Sequence, residues 1–126
     1  MISGRDLIVI EQMLKYCVEV EEALIFFNED EHVFLNNSIF RNAVAMPVQQ
    51  IGELANHLSA DFKSEHDNIK WRFMIGMRNW FAHEYYKMDA ETIWQTALYD
   101  IPEIKVFCEK VIKKAKEQES GNADII

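Results

Sequence analysis

Asp6-Leu7-Ile8-Val9-Ile10-Glu11-Gln12-Met13-Leu14-Lys15-Tyr16-Cys17-Val18-Glu19-Val20-Glu21-Glu22-Ala23-Leu24-Ile25-Phe26-Phe27 sets the architecture. Leu7, Ile10, Leu14, Cys17, Val20, Leu24 and Phe27 recur in steps of three and four, the period of one helical stripe. The spacing predicts a long amphipathic helix from Asp6 to about Phe27. Asn28-Glu29-Asp30-Glu31 then breaks the pattern, and residues 28–38 read as a connection with room for a short helical turn. A second helix is expected from about Ile39 to Leu58, through Phe40, Val44, Val48, Ile51, Leu54 and Ala55. Pro47 lies inside it and removes one backbone hydrogen bond, so a kink is expected between Ala43 and Pro47.

Ser59 to Asn68 is polar and reads as a loop. A third helix carries Trp71, Met74, Met77 and Phe81 on one stripe, with Phe73 and Trp80 beside it, and should end near Ala82 to Glu84. Asp89 suits the N-cap of a fourth helix through Ile93, Ala97, Ile101, Ile104, Cys108, Val111 and Ala115. Asp100-Ile101-Pro102-Glu103 reads as a fresh start within it: a capping aspartate, a proline in the tolerant first turn and a glutamate at capping-box spacing. Residues 1–118 are expected to form a single domain, with a frayed tail over 119–126. Nothing alternates like a strand and no repeat appears. The pattern predicts an all-α, up-and-down bundle of four to five helices.

The chain has 126 residues, enough for one domain with a real core. No apolar run reaches the roughly 20 residues that span a bilayer, and Met1 to Asp6 has no secretory pattern, so no membrane association is expected. Cys17 and Cys108 stand apart without metal-ligand spacing and read as reduced, buried thiols of a cytoplasmic protein. The net charge of −8 argues against a general nucleic-acid binder. Its distribution matters more. Lys70, Arg72, Arg78 and Lys87 against Glu84 make residues 70–87 net +3, leaving −11 for the rest of the chain. Such a basic island suits brief phosphate contact; it equally suits one solvated helix face, and the acidic body suits a basic partner.

Met77-Arg78-Asn79-Trp80-Phe81-Ala82-His83-Glu84-Tyr85 lies within that island. Arginine is a permanent cation that contacts phosphate bidentately, and histidine exchanges protons near neutral pH. The pair could cleave RNA without a metal or cofactor. A 2′-hydroxyl attacks the adjacent phosphorus, Arg78 stabilises the growing charge, and His83 acts as general acid or base. On an unbroken helix the two positions differ by roughly 140° and 7.5 Å of rise, so they would not share a face. Helix termination near Ala82 and the reach of arginine could bring them together. One histidine does not easily serve as both acid and base, and a twofold dimer would supply the second. Asn79 could support His83 or the phosphate, or be a polar surface residue. Cations near a helix C-terminus are favoured in any case, so the spacing alone admits a purely structural role.

The run Trp71-Arg72-Phe73-Met74-Ile75-Gly76-Met77-Arg78-Asn79-Trp80-Phe81-Ala82-His83-Glu84-Tyr85 resembles the W-R-x-I-x-G-M-R-N-x-x-A-H-x-Y block of the HepT-like HEPN-domain ribonuclease toxins. Asp89, Trp94 and Asp100-Ile101-Pro102-Glu103-Ile104-Lys105 are similar to its downstream elements. Arg5-Asp6-Leu7 and Ile51-Gly52-Glu53-Leu54-Ala55 are similar to its upstream ones. Met46-Pro47 departs from the Arg-Asn that relatives often carry. The resemblance implies a homodimeric HEPN bundle whose R-x4-H-x-Y motif lines a cleft between protomers. It also implies a type VII-like toxin–antitoxin pair with a minimal nucleotidyltransferase antitoxin. On this chain Arg78 and His83 would be catalytic, and Tyr85 would accept AMP from ATP (AMPylation), blocking the RNA cleft. Lys70, Arg72 and Lys87 are candidates for RNA contact; DNA, lacking the attacking hydroxyl, is not an expected substrate.

Tyr85 could instead be a partly buried aromatic with a bonded hydroxyl, and Tyr86 stands beside it. Two rivals are a non-catalytic HEPN partner that binds a nucleotidyltransferase or a nucleotide, and an RNA-binding dimer without turnover. His57, Asp61 and His66 are too loosely spaced for a metal site and read as solvated side chains. Phe26-Phe27 and Trp80-Phe81 are too bulky for one stripe to hide, so some of that surface could serve a dimer, with ordinary core as the default.

Overall fold

The computed structural model describes residues 1–84 and 90–125, with side chains described through Arg78 and from Ala90 to Gly121. Helix α1 spans Gly4–Phe26, opened by the Ser3 side chain accepting from the Asp6 amide at 3.1 Å. It ends where Asn28 and Glu29 take the left-handed region, at φ 57° and 50°. The Glu29 amide then bonds back to the Leu24 carbonyl at 2.7 Å. The short turn foreseen in the connection is helix α2, Glu31–Asn36, capped by Asp30. Asn37 caps α3, Ser38–His57, through the amides of Ile39 and Phe40. Helix α3 is assigned unbroken through a buried Pro47. The carbonyl deprived of its partner belongs to Ala43, which is exposed and can bond water.

Two expectations change. Residues 59–68 are not wholly a loop: Ser59 caps helix α4, Ala60–Glu65, accepting from the Phe62 amide at 3.1 Å. A helix this short buries only Phe62, so no periodicity announces it. Nor does Asp100 cap a fresh helix. After α5 (Trp71–Glu84) and α6 (Ala90–Gln95), the chain runs through a π-helical segment, Thr96–Asp100, directly into α7, Ile101–Ile125. Ile101 keeps helical angles (φ −64°, ψ −43°) and its amide bonds the Thr96 carbonyl five residues back. A widened turn eases the clash a proline makes with the preceding turn, and Pro102 sits just beyond it. Thr96 Oγ1 also donates to the Thr92 carbonyl at 2.9 Å, a contact that tends to bend helices. Helix α7 runs to Ile125.

The four long helices pack side by side in the order α7, α1, α3, α5. Ile10, Met13, Cys17 and Val20 of α1 meet Val44, Val48, Ile51 and Ala55 of α3, all buried. At one end Phe34 of α2 wedges between Phe40 and Trp94, with centroids at 5.1 and 5.0 Å. Phe27 stacks on Phe40 at 4.4 Å, whereas Phe26 is exposed. At the other end Phe62, Trp71 and Phe107 cluster, and Trp71 Nε1 donates to the His66 carbonyl at 2.9 Å. Asp6 is buried and latches α1 to α4. Its two oxygens accept from the Ser59 amide (3.0 Å) and from Ser59 Oγ (2.7 Å). Cys17 and Cys108 are free and buried. Among the described residues there is no strand, and no helix is long and apolar enough to cross a membrane.

Candidate active site

Among the described residues the buried stripe of α5 is Trp71, Met74 and Met77, and Arg78 follows it at the edge of the core. Its position is set by Gly52 of α3. A Cβ on Gly52 would lie 2.5 Å from the Met74 carbonyl oxygen, 3.2 Å from the Arg78 amide nitrogen and 3.3 Å from the Arg78 Cβ. The two helix backbones therefore touch where Arg78 emerges, an approach only glycine permits.

Glu53, the next residue, reaches across that contact, with its Oε2 3.1 Å from Arg78 Nε. One turn along α3, His57 Nε2 lies 3.4 Å from the other oxygen, Oε1. The Arg78 side chain is 33% exposed and that of Glu53 44%, so the pair is open to a solvent-borne ligand. Sequence reading placed His57 among solvated residues and treated Glu53 only as part of a resembling segment. The Glu53–His57 spacing of four was a usable signal; the Glu53–Arg78 pairing needs the register of α3 on α5.

The backbone of α5 is helical to Glu84, so Arg78 and His83 keep the roughly 140° offset of an unbroken helix. The helix thus reaches Glu84, within the expected Ala82–Glu84 range, without the break at Ala82 that would have turned His83 towards Arg78. The side chains of Asn79 and His83 lie outside the described residues, as do Tyr85, Tyr86, Lys87 and Asp89 altogether. Lys70, Asp100 and Glu103 line a groove between the start of α5 and the start of α7. There, burial raises the pKa of Asp100, and Lys70 opposes that shift. Arg72 is exposed. Among the described residues Lys70 and Arg78 thus face different acidic neighbours. His57 and His66 also occupy separate settings, His66 lying against Phe62 and Phe107. Among the described residues no group of three or more His, Cys, Asp or Glu is placed to hold a metal ion.

The family model described as "Ribonuclease HepT-like" matches residues 13–111. The chain belongs to the HepT-like ribonuclease family. It is similar to "Putative RNase MJ0125" of Methanocaldococcus jannaschii, with 36% identity over 89 residues, covering 71% of this chain and 77% of that protein. "Putative RNase MJ1216" of the same organism is 33% identical over 95 residues, covering 75% of this chain and 78% of the relative. "Probable ribonuclease HepT" of Thermococcus cleftensis is 36% identical over 80 residues, covering 64% and 73%. No solved structure gives a significant match. Ribonuclease activity is therefore the family-level assignment, and the all-α bundle is of the HEPN type. The HepT-like match takes in both Arg78 and its α3 partner Glu53.

Proposed function

We propose that this chain is a metal-independent endoribonuclease, the toxin of a type VII-like toxin–antitoxin pair, with Arg78 and His83 as its catalytic residues. The observation that carries the reading is Arg78 itself, a solvent-accessible guanidinium midway along α5 in a chain of a ribonuclease family. Arg78 neutralises charge on the phosphoryl oxygens as the 2′-oxygen attacks phosphorus. The 2′-hydroxyl gives its proton to a base, the bond from phosphorus to the 5′-oxygen breaks, and an imidazolium protonates that oxygen. The products are a 2′,3′-cyclic phosphate and a free 5′-hydroxyl. Asn79 supports this chemistry, and Lys70, Arg72 and Lys87 contact flanking phosphates.

A homodimer completes the site. In support, α3 exposes Ile39, Ala43 and Met46 in one row, and the same spacing continues to Gln50, Glu53 and His57. Steps of four and three in alternation form the seam along which a second helix packs. A twofold contact there brings two Arg78 clusters to one cleft. Tyr85 is the control point. A nucleotidyltransferase antitoxin directs its phenol to the α-phosphorus of ATP, pyrophosphate leaves, and the AMP left behind repels the RNA backbone.

The test is cleavage of cellular RNA in chelator by the wild type beside Arg78→Ala and His83→Ala. Cleavage abolished by both substitutions is expected; equal activity in all three preparations marks contamination and refutes the reading. Intact mass after exposure to the partner and ATP should show an AMP adduct. An adduct that persists in Tyr85→Phe rules that residue out.

A further inference from the structure

We infer that Glu53 is the positioning residue for Arg78, gripping one edge of the guanidinium so that the other edge is presented to the scissile phosphodiester. The inference rests on the ribonuclease reading above and adds a residue to it. Two contacts define the arrangement. Gly52 sets the root of Arg78, because a Cβ at that position would stand only 3.2 Å from the Arg78 amide nitrogen and 3.3 Å from its Cβ. Glu53 sets the tip, with Oε2 3.1 Å from Nε. An arginine this exposed would otherwise sample many rotamers, and catalysis penalises misplacement by even 1 Å.

The edge that is gripped matters. Nε carries one of five N–H donors; the other four sit on Nη1 and Nη2, whose paired geometry matches a phosphate. A carboxylate at Nε therefore orients the fork without using the Nη1–Nη2 edge. Glu53 is itself steadied, since its second oxygen faces His57 Nε2 at 3.4 Å. The chain reads His57, Glu53, Arg78, with the phosphate next in line.

A carboxylate beside a phosphate site also has a cost, because it repels RNA. That gives the inference a signature. A carboxylate that only repels or only decorates the surface should, once neutralised, leave kcat unchanged and lower KM. A positioning carboxylate should, once neutralised, lower kcat while KM stays level or falls.

The experiment uses the full-length chain and a fluorescent RNA oligonucleotide that the wild type cleaves. Glu53→Gln keeps the size of the side chain and should unfold within a few degrees of wild type. Its kcat should fall about tenfold, without a rise in KM. In an Arg78→Lys background, where no Nε edge exists, Glu53→Gln should change kcat less than twofold. The Arg78 Nε–Hε resonance, assigned by its loss in Arg78→Lys, should shift in Glu53→Gln. A kcat for Glu53→Gln at or above wild type overturns the inference, as does an equal loss in the Arg78→Lys background or an unmoved resonance. Should Arg78→Ala cleave as well as wild type, the ribonuclease reading of this site fails. The catalytic role of Glu53 then falls with it, whatever the resonance shows.

Discussion

Replacing Gly52 with alanine tests the α3–α5 crossing on which the site depends. The added Cβ would stand 2.5 Å from the Met74 carbonyl oxygen, whereas ordinary contact begins at 3.4 Å. The two nearest neighbours are backbone atoms and the third is the Arg78 Cβ, fixed to its own backbone, so nothing can swing aside; the helices must part by about 0.9 Å, a gap that forfeits a quarter to a half of each affected dispersion contact. Ile51, Ala55, Met74 and Met77 are all buried nearby and share that loss. Overpacking of this kind costs about 1–3 kcal/mol, and two opposed backbones put this case at the upper end. Alanine's better helix propensity returns about 1 kcal/mol. The net is about 2 kcal/mol of destabilisation, or a fall in Tm of roughly 6–10 °C for a domain of this size. The same change at Gly76 meets nothing within 4 Å, so Gly76→Ala should hold or raise Tm by up to about 4 °C. Calorimetry on the two variants therefore reads opposite signs for one chemical change. Because the parting occurs at the Arg78 amide and Cβ, RNA cleavage by Gly52→Ala should fall about tenfold even where it is fully folded. A Gly52→Ala protein as stable as wild type would refute the close approach.

Two further outcomes concern buried groups. Burial alone would raise the Asp6 pKa, but hydrogen bonds from Ser59 and Ser3 and the charge of Arg5 hold it below its ordinary 3.8. A depressed carboxylate contributes stability that is complete above its unfolded pKa and lost as pH falls through the folded one. Asp6→Asn should thus cost about 1–3 kcal/mol at pH 7 in denaturant melts, with the gap closing below pH 3.8; a gap unchanged down to pH 2 contradicts the latch. Burial also pushes the Cys108 thiol up to about 12 and the Cys17 thiol well above the usual range. Both should resist a thiol reagent at pH 8 in the native protein and react promptly once unfolded. Fast native labelling of either would place it outside the core.

The long helices were legible because each hides a stripe wide enough to print a period on the sequence. Phe34 and Phe62 show where that fails: α2 and α4 bury one large side chain apiece, and a single apolar residue has no period. Their starts were nonetheless encoded in Asp30 and Ser59, whose capping roles compete with a plain loop reading of polar segments. The π segment was hidden for a different reason. Asp100 and Pro102 look like a capped start, yet the widened turn accepts the proline without leaving helical angles. At the site, Arg78 could be read from its neighbours along the chain, whereas Glu53 lies 25 positions earlier and meets it only through the register that Gly52 sets.

The proposed mechanism requires Arg78 and His83 to act on one phosphate. Helix α5 is unbroken between them, so within one chain their positions diverge by roughly 140°. A composite site, with arginine from one protomer and histidine from its partner, removes the difficulty. It makes a quantitative demand on mixtures. Arg78→Ala and His83→Ala homodimers should each be inactive. Denatured together in equal amounts and refolded, half of the dimers should be mixed. In a mixed dimer one site has lost both groups and the other keeps an intact arginine and an intact histidine. About a quarter of wild-type activity should therefore return if the proposed dimer is twofold. Differential tags would verify that mixed dimers form. Their formation without any return of cleavage would refute a site built from one arginine and one histidine of different chains.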